Sequence, residues 1–331
     1  MKLFPSSKVY VIAPAGTASG GPEVLHQLAA YLRQRDVDAY MYYVPHERPD
    51  PVPAVYRQYK VPPVDSMTNR PENILISPET MPLFQAKEIR RVLWWLSVDQ
   101  WLGSMTQVLA FFSENPLRRP LPHWFAFQPD LPPVHWVQSE YARQFLMLNG
   151  IPESQIHFVS DYLNPVFLNQ PPGNNAAARK DIVTFNPLKG KAFTRKLTDA
   201  APDIDWRPIQ NMTPEEVRSL LRTAKVYIDF GAHPGKDRIP REAAISGCCL
   251  ITGRRGAAAN DVDVPIGGEN KFADRDEDIP AIIARIRYLL AHYEEAYPRF
   301  ATYRETILGE PARFAAQVDT ALELPPLSPK Q

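Results

Sequence analysis

The stretch 227–256, YIDFGAHPGKDRIPREAAISGCCLITGRRG, constrains the fold more than any other part of the chain. It packs an apolar strand, a polar loop, a helix and a second apolar strand into thirty residues. Strands joined through a helix lie parallel in an α/β sheet. The loop and helix start carry Lys236, Arg238 and Arg241, with Glu242 among them. The second strand ends in the basic turn Gly253-Arg254-Arg255-Gly256. A cationic loop at a strand's carboxyl end that runs into a helix amino end suits a phosphorylated ligand. A lone carboxylate beside it can hold a sugar hydroxyl.

The same alternation recurs along the chain. Residues 8–15 (KVYVIAPA) form an apolar run that ends in the loop Gly16-Thr17-Ala18-Ser19-Gly20-Gly21. Residues 22–35 then show helical spacing through Val24, Leu25, Leu28, Ala29 and Leu32, with Pro22 suited to a first helical turn. Further strands are expected at 39–44, 73–77, 91–96, 134–138 and 156–159, with a short helical segment between the third and fourth and a helix at 140–149 closed by Gly150. Residues 45–63 and 116–133 are Pro-rich, and the first of these stretches is expected to be irregular surface chain. A break at 165–178, with Pro165, Pro171, Pro172, Gly173 and paired Asn, reads as a linker. Strands resume at 181–185, 206–209, 225–230 and 250–252. Helices are expected at 192–201, after the Thr213-Pro214 start signal, at 279–293 and near 311–322.

At 331 residues the chain is too long for one ordinary core and fits two domains. The expected fold class is α/β, with two Rossmann-like doubly wound domains facing a cleft. The first spans 1–164, a linker covers 165–178, the second domain spans 179–310, and a C-terminal helix and tail occupy 311–331. No internal repeat is visible.

Composition narrows the function. Hydrophobic residues make up 44% and charged residues 22%, the balance of a soluble globular chain. Lys plus Arg (37) equals Asp plus Glu (37), which argues against a dedicated nucleic-acid binder and leaves the local basic clusters to a small anionic ligand. Cys248 and Cys249 are adjacent and read as small buried residues of a reducing compartment. Ser6, Ser7 and Lys8 interrupt the apolar start, so no signal peptide is expected. No stretch approaches the ~20 apolar residues of a membrane span.

Four stretches together resemble a known group: SGGPEVLHQLAAYLRQRDVDAYMY, VHWVQSEYARQFLMLNGI, FNPLKGKAF and REAAISG. Their order and spacing resemble the two-domain GT-B glycosyltransferases, most like the retaining bacterial polysaccharide glycosyltransferases (glycosyl transferases group 1). The resemblance touches both halves, although 45–133 match nothing in it. It implies a donor domain in the second half, an acceptor domain in the first, and transfer from a UDP- or GDP-sugar to a glycan or lipid-linked acceptor. The chain departs from the group's pattern at three points. The position eight before Glu242 is Pro234 rather than a second glutamate. Pro240 sits two residues before Glu242 instead of three, and the Arg that usually precedes the Lys-Gly pair is missing.

Candidate site residues follow. Lys189 and Lys191 trail one strand end, and Lys236 and Arg238 another. In a doubly wound domain both loops share one rim. Without a metal, such cations and helix amino ends must offset the leaving diphosphate. The resemblance implies ribose binding by Glu242, read as a residue of its helix's first turn, and places Gly20 and Gly21 opposite the donor phosphates. The backbone of Gly256 and Ala257 could cradle phosphate or the transferred sugar. Asp99, at the end of LWWLSV, is a candidate for acceptor deprotonation or positioning, and His233 for a role at the donor sugar or phosphate. Arg241 is expected to pair with its neighbour Glu242, and His123 and His135 are expected to be structural. The pairs Asp203/Asp205, Asp261/Asp263 and Asp274/Asp276 lie among loops, and no Cys/His set has zinc spacing. No metal and no cofactor beyond the nucleotide-sugar substrate are therefore expected. Five of the six Trp fall between 94 and 136, where core packing is expected, with acceptor stacking or lipid contact open for some. Arg90-Arg91 and Arg118-Arg119 flank them. The expected location is the cytoplasm, with peripheral contact at the inner membrane face through a lipid-linked acceptor left open. A nucleotide-sugar epimerase of the same fold, or an inactive nucleotide-binding module, are the alternatives.

Overall fold

The computed structural model describes residues 1–46, 48–81, 88–114, 134–169 and 179–326. The expected residues His123, Trp124 and Arg118-Arg119, and part of the expected linker, lie outside these. Two compact units emerge: Met1–Asp161 with Pro311–Gln331, and Tyr162–Glu310.

In the first unit, strands β1 (Lys8–Pro14), β2 (Asp38–Val44), β3 (Ile74–Pro78), β4 (Arg90–Trp95), β5 (Val134–Val137) and β6 (Ile156–Phe158) form one sheet in the order β2-β1-β3-β4-β5-β6. Every pairing is parallel. Helices α1 (Gly20–Gln34), α2 (Val98–Glu114) and α3 (Glu140–Leu148) connect its strands. Parallel strands bury both faces, so they read as continuous apolar runs. Val9, Val11, Ile74, Ile76, Val92 and Val137 are all fully buried.

Of the clustered tryptophans, Trp94, Trp95 and Trp136 have no exposed surface and Trp101 is also buried. The Trp94 indole donates to the Val159 carbonyl at 2.9 Å, and Trp95 donates to Nδ1 of His135 at 2.9 Å. These four rings serve the core and present no face to an acceptor. His135 is structural as expected, and its burial drives its pKa down to about 4.

The second unit begins with a short helix, α4 (Pro165–Leu168), inside the stretch expected to be linker. Asn164 caps it by accepting from Val166 N, and Phe167 is buried in this unit's core. The second sheet contains β7 (Lys180–Phe185), β8 (Asp205–Pro208), β9 (Ala224–Asp229), β10 (Cys249–Gly253) and β11 (Lys271–Phe272), in the order β11-β10-β9-β7-β8 and again parallel throughout. Helices α5 (Lys191–Ala200), α6 (Pro214–Thr223), α7 (Arg238–Ile245), α8 (Ile279–Ala291), α9 (Tyr293–Ala296) and α10 (Ala301–Leu308) follow. The Thr213 signal is a complete capping box with Glu216. Cys248 and Cys249 are buried and free, their thiols pushed up to about 12 by burial.

The last helix, α11 (Glu310–Ala321), starts at the final residue of the second unit and continues into the first. There Tyr31 donates to Asp319 at 2.7 Å and Gln317 accepts from Ser160 N at 2.9 Å. No helix among the described residues is long and apolar enough to cross a membrane.

In both sheets the winding reverses between the first strand and the third: between β1 and β3, and between β7 and β9. In open parallel sheets the crevice outside the carboxyl ends at such a switch point is where ligands bind. The two loops singled out in the second half, after β7 and after β9, stand on either side of one such point.

Candidate functional site

The β7 loop is short and tightly built. Asn186 turns it by accepting from Leu188 N at 2.9 Å. Gly190 sits at φ 57 as the amino cap of α5, and a methyl there would strike the Phe230 carbonyl. A side chain on Gly231 would strike Lys189 Cβ at 2.9 Å. The glycines therefore allow the β7 and β9 loops to touch, which brings Lys189 to the residues after β9. Lys191, the first residue of α5, is exposed.

After β9 the chain makes a compact loop around His233. Asp229 ends the strand almost fully buried, accepting from the Tyr227 hydroxyl at 2.9 Å and from Gly231 N at 2.8 Å. His233 adopts φ 48 and is 1% exposed. Its Nε2 lies 3.5 Å from Asp229 Oδ1, and its Nδ1 lies 3.2 Å from Asp237 Oδ2. The same Asp237 oxygen is 2.8 Å from Lys189 Nζ. His233, expected at the donor sugar or phosphate, is thus enclosed by protein groups rather than presented to a ligand. Burial pulls its pKa down, but the Asp237 hydrogen bond and the Asp229 charge outweigh this and leave it raised. Burial likewise pushes Asp237 up, and His233 and Lys189 more than reverse it, so its pKa is lowered.

Asp237 is the amino-cap residue of α7, yet its side chain makes no capping bond. An N-cap Asp ordinarily accepts from the N2 or N3 amide. Here the carboxylate turns to Lys189 and His233 instead. The helix begins at Arg238, so Glu242 is its fifth residue, further in than the first turn expected for it, and is half-buried. Arg238 is half-buried at the helix start.

A second ion-pair group adjoins the first. Glu310, the first residue of α11, is buried and lies 2.9 Å from Lys236 Nζ and 2.8 Å from Arg241 Nη1. Arg241 is 1% exposed and also donates to the carbonyls of Asp237 and Lys236, each at 3.1 Å. The guanidinium meets Glu310 and folds back onto the carbonyls of its own loop. A cavity of about 10 Å³, room for roughly one water, lies among His233, Lys236, Asp237 and Tyr303.

The turn after β10 packs beneath His233. Gly256 has φ 52, and a methyl there would strike the His233 carbonyl. Ala257 N donates to that carbonyl at 2.9 Å. The Ala257 amide, expected to face phosphate or sugar, is therefore already engaged. Arg254 reaches the Lys271 carbonyl at 2.9 Å, and Arg255 pairs with Asp274. Gly256→Ala should cost about 1–3 kcal/mol, from a left-handed backbone that disfavours a side chain and the carbonyl it would strike. Urea unfolding checks this.

In the first unit the Gly-rich loop lies at the β1 end, beside the other switch point. Gly20 and Gly21 open α1, and a methyl on Gly21 would lie 3.7 Å from a Leu96 carbon, an ordinary contact. Tyr56 braces the preceding residue, donating to the Ser19 carbonyl at 2.6 Å and accepting from Ser19 N at 2.8 Å. Tyr56 belongs to the Pro-rich stretch expected to be irregular, where 54–59 form a 3-10 helix. Asp99 sits in the first turn of α2 and accepts from the Tyr141 hydroxyl at 2.8 Å. An unanticipated carboxyl adjoins the start of this helix. Glu79, just past β3, accepts from Leu96 N at 2.8 Å and Ser97 N at 3.1 Å. Its burial raises its pKa to about 7, against those two backbone bonds.

The aspartate pairs are engaged in local contacts. Asp203 pairs with Arg287, Asp205 with Arg207, Asp261 with Lys271, Asp274 with Arg255 and Asp276 with Lys196, and Asp263 accepts from Asn260. Among the described residues no group of three or more His, Cys, Asp or Glu is arranged to hold a metal ion.

Sequence reasoning thus located both lysine loops but missed their carboxylates. Asp229 and Asp237 lie within the segment of interest, where they look like ordinary polar loop residues. Glu310 gives no signal, being 69 residues beyond its partner Arg241.

Two parallel-sheet α/β units of this kind match the GT-B fold of glycosyltransferases. Solved structures agree over almost the whole chain. Anabaena HepE in complex with UDP-glucose superposes with a TM-score of 0.59 at 12% identity, covering 96% of this chain and 99% of that one. Sucrose-phosphate synthase from Thermosynechococcus elongatus gives 0.63 at 13% identity, covering 95% and 98%. WaaG, a glycosyltransferase involved in lipopolysaccharide biosynthesis, gives 0.58 at 10% identity, covering 95% and 98%. No protein-family profile matches the chain, and no curated protein matches it by sequence.

Proposed function

We propose that this protein is a glycosyltransferase that moves a sugar from a UDP- or GDP-sugar to a glycan or lipid-linked acceptor, with retention at the transferred carbon and without a metal. The second unit would hold the donor and the first the acceptor. One observation supports the proposal: the loops that carry Lys189 and Lys236 follow β7 and β9 on either side of the second sheet's switch point, and Lys189 meets Asp237 at the amino end of α7. In the reaction the bond from the anomeric carbon to the diphosphate breaks and a bond to the acceptor oxygen forms, with loss of the hydroxyl proton. Negative charge grows on the departing diphosphate. Fixed cations and a helix amino end are the groups that stabilise such charge. Lys189, Lys191, Lys236 and Arg238 are assigned to the diphosphate, Glu242 to the ribose, and the Gly256 turn to the wall of the donor site. Asp99, in the first unit, is assigned to the acceptor. HepE, of like fold, binds UDP-glucose, which supports a uridine donor among the options.

Calorimetry with UDP, GDP and NAD tests the assignment. Binding of UDP or GDP with 1:1 stoichiometry is expected, with none for NAD. Absence of binding to both UDP and GDP overturns it.

A further inference from the structure

Both ring nitrogens of His233 face acceptors. Nδ1 meets Asp237 Oδ2 at 3.2 Å, and Nε2 meets the Asp229 carboxylate at 3.5 Å and the Asp229 carbonyl at 3.4 Å. A neutral imidazole has one N–H, so one nitrogen would point a lone pair at an oxygen. Only the imidazolium donates on both sides. Its enclosure is otherwise tight: Tyr227 and Asp229 come from β9, Asp237 from the start of α7 and Lys189 from the β7 loop, while Lys236 and Tyr303 line the adjoining small cavity.

We infer that His233 is a positioning residue that cancels the charge of Asp237, so that Asp237 can orient Lys189 without neutralising it for the donor phosphates. This rests on the proposed donor site. The geometry requires some such device. Asp237 gives up the ordinary capping bond of α7 to hold Lys189 at 2.8 Å. A bare carboxylate so placed would oppose any phosphate brought to that lysine. With the imidazolium between the two carboxylates, Lys189, Asp237, Asp229 and His233 sum to zero charge, where a neutral His233 would leave a net negative charge beside the lysine. Asp229 has its own donors in the Tyr227 hydroxyl and Gly231 N. The raised pKa of His233 agrees with this arrangement. His233 does not touch the ligand, and its backbone at φ 48 tolerates Asn.

The test is a double-mutant cycle on the full chain, read as UDP and GDP affinity by calorimetry, with thermal melts to confirm folding. His233→Asn leaves Asp237 uncompensated and should weaken binding by about tenfold or more, as expected of one unscreened charge several ångströms away. Adding Asp237→Asn should restore the electrostatic part of that loss, leaving what Asp237 contributes by orienting Lys189. A purely structural His233 would give additive or larger losses, and that result overturns the inference while leaving the donor site standing. A wild-type chain that binds neither nucleotide removes both. Should His233→Asn fail to fold, the wild-type pH profile decides. Above the ordinary histidine pKa, where a terminal phosphate is already doubly ionised, affinity should fall with rising pH as His233 loses its proton, and Asp237→Asn should flatten the slope. Equal slopes in the two proteins overturn the inference.

Discussion

Lys189→Met is expected to weaken UDP or GDP binding by about ten- to a hundredfold, the size of one charge-assisted hydrogen bond to phosphate. Its effect on folding should be small. The Lys189 side chain is 34% exposed, and a partly exposed ion pair contributes about 1 kcal/mol or less. His233 also remains to balance Asp237 after the substitution. Affinity and stability should therefore separate: calorimetry registers a large loss while the melting temperature stays within about 4 °C. A lysine serving only its aspartate would show the reverse, with unchanged affinity. The neighbouring Lys191 is exposed at the start of α5 and lacks the carboxylate that orients Lys189. The larger effect belongs to Lys189.

Arg241→Met should be the most damaging single change to stability in this region. The guanidinium is 1% exposed and faces a Glu310 carboxylate that is equally buried. Removing one partner of such a pair leaves a charge in the interior, with a typical cost of about 3–5 kcal/mol. Lys236 offsets part of that charge, being 13% exposed and 2.9 Å from the same carboxylate. The diagnostic variant is the double one. Arg241→Met with Glu310→Met should recover part of the stability measured by urea unfolding, because an apolar pair of similar volume avoids the desolvation cost, while Lys236 loses its carboxylate. A double variant no better than Arg241→Met alone would show that Arg241 acts through its bonds to the Asp237 and Lys236 carbonyls.

Much of the fold was legible because parallel strands leave a plain signature. KVYVIA and CCLIT are apolar on both faces, and each lies between two other strands of its sheet. The Thr213 capping box was equally plain, since its chemistry is local. Elements without such a signature were lost. Strand β11 has two residues and is defined only by its pairing with β10. Only two residues separate helix α2, which starts at Val98, from the apolar β4, so the helix start merged with the end of that run. Tyr56 looked like surface chain in a proline-rich stretch, and only tertiary contact shows that it holds Ser19.

The site divides along the same line. Its cations were visible as a local cluster, and the glycines that let the loops touch were visible as glycines. Their partners were not, because Lys189 meets Asp237 from a different loop and Arg241 meets Glu310 from 69 positions away. The Ala257 amide looked open in sequence because nothing there reveals that the His233 carbonyl would take it. What could be read was the chemistry of the ligand. What could not was the set of carboxylates that aims the cations at it.

The most direct measurement is acceptor-dependent release of nucleotide from a panel of UDP- and GDP-sugars, followed by chromatography of both sugar and nucleotide products. Transfer predicts UDP or GDP formed in step with a glycosylated acceptor, and loss of both products in Lys189→Met. A nucleotide sugar converted to its epimer with no acceptor present, or bound and never turned over across the acceptor panel, would contradict the assignment as a glycosyltransferase.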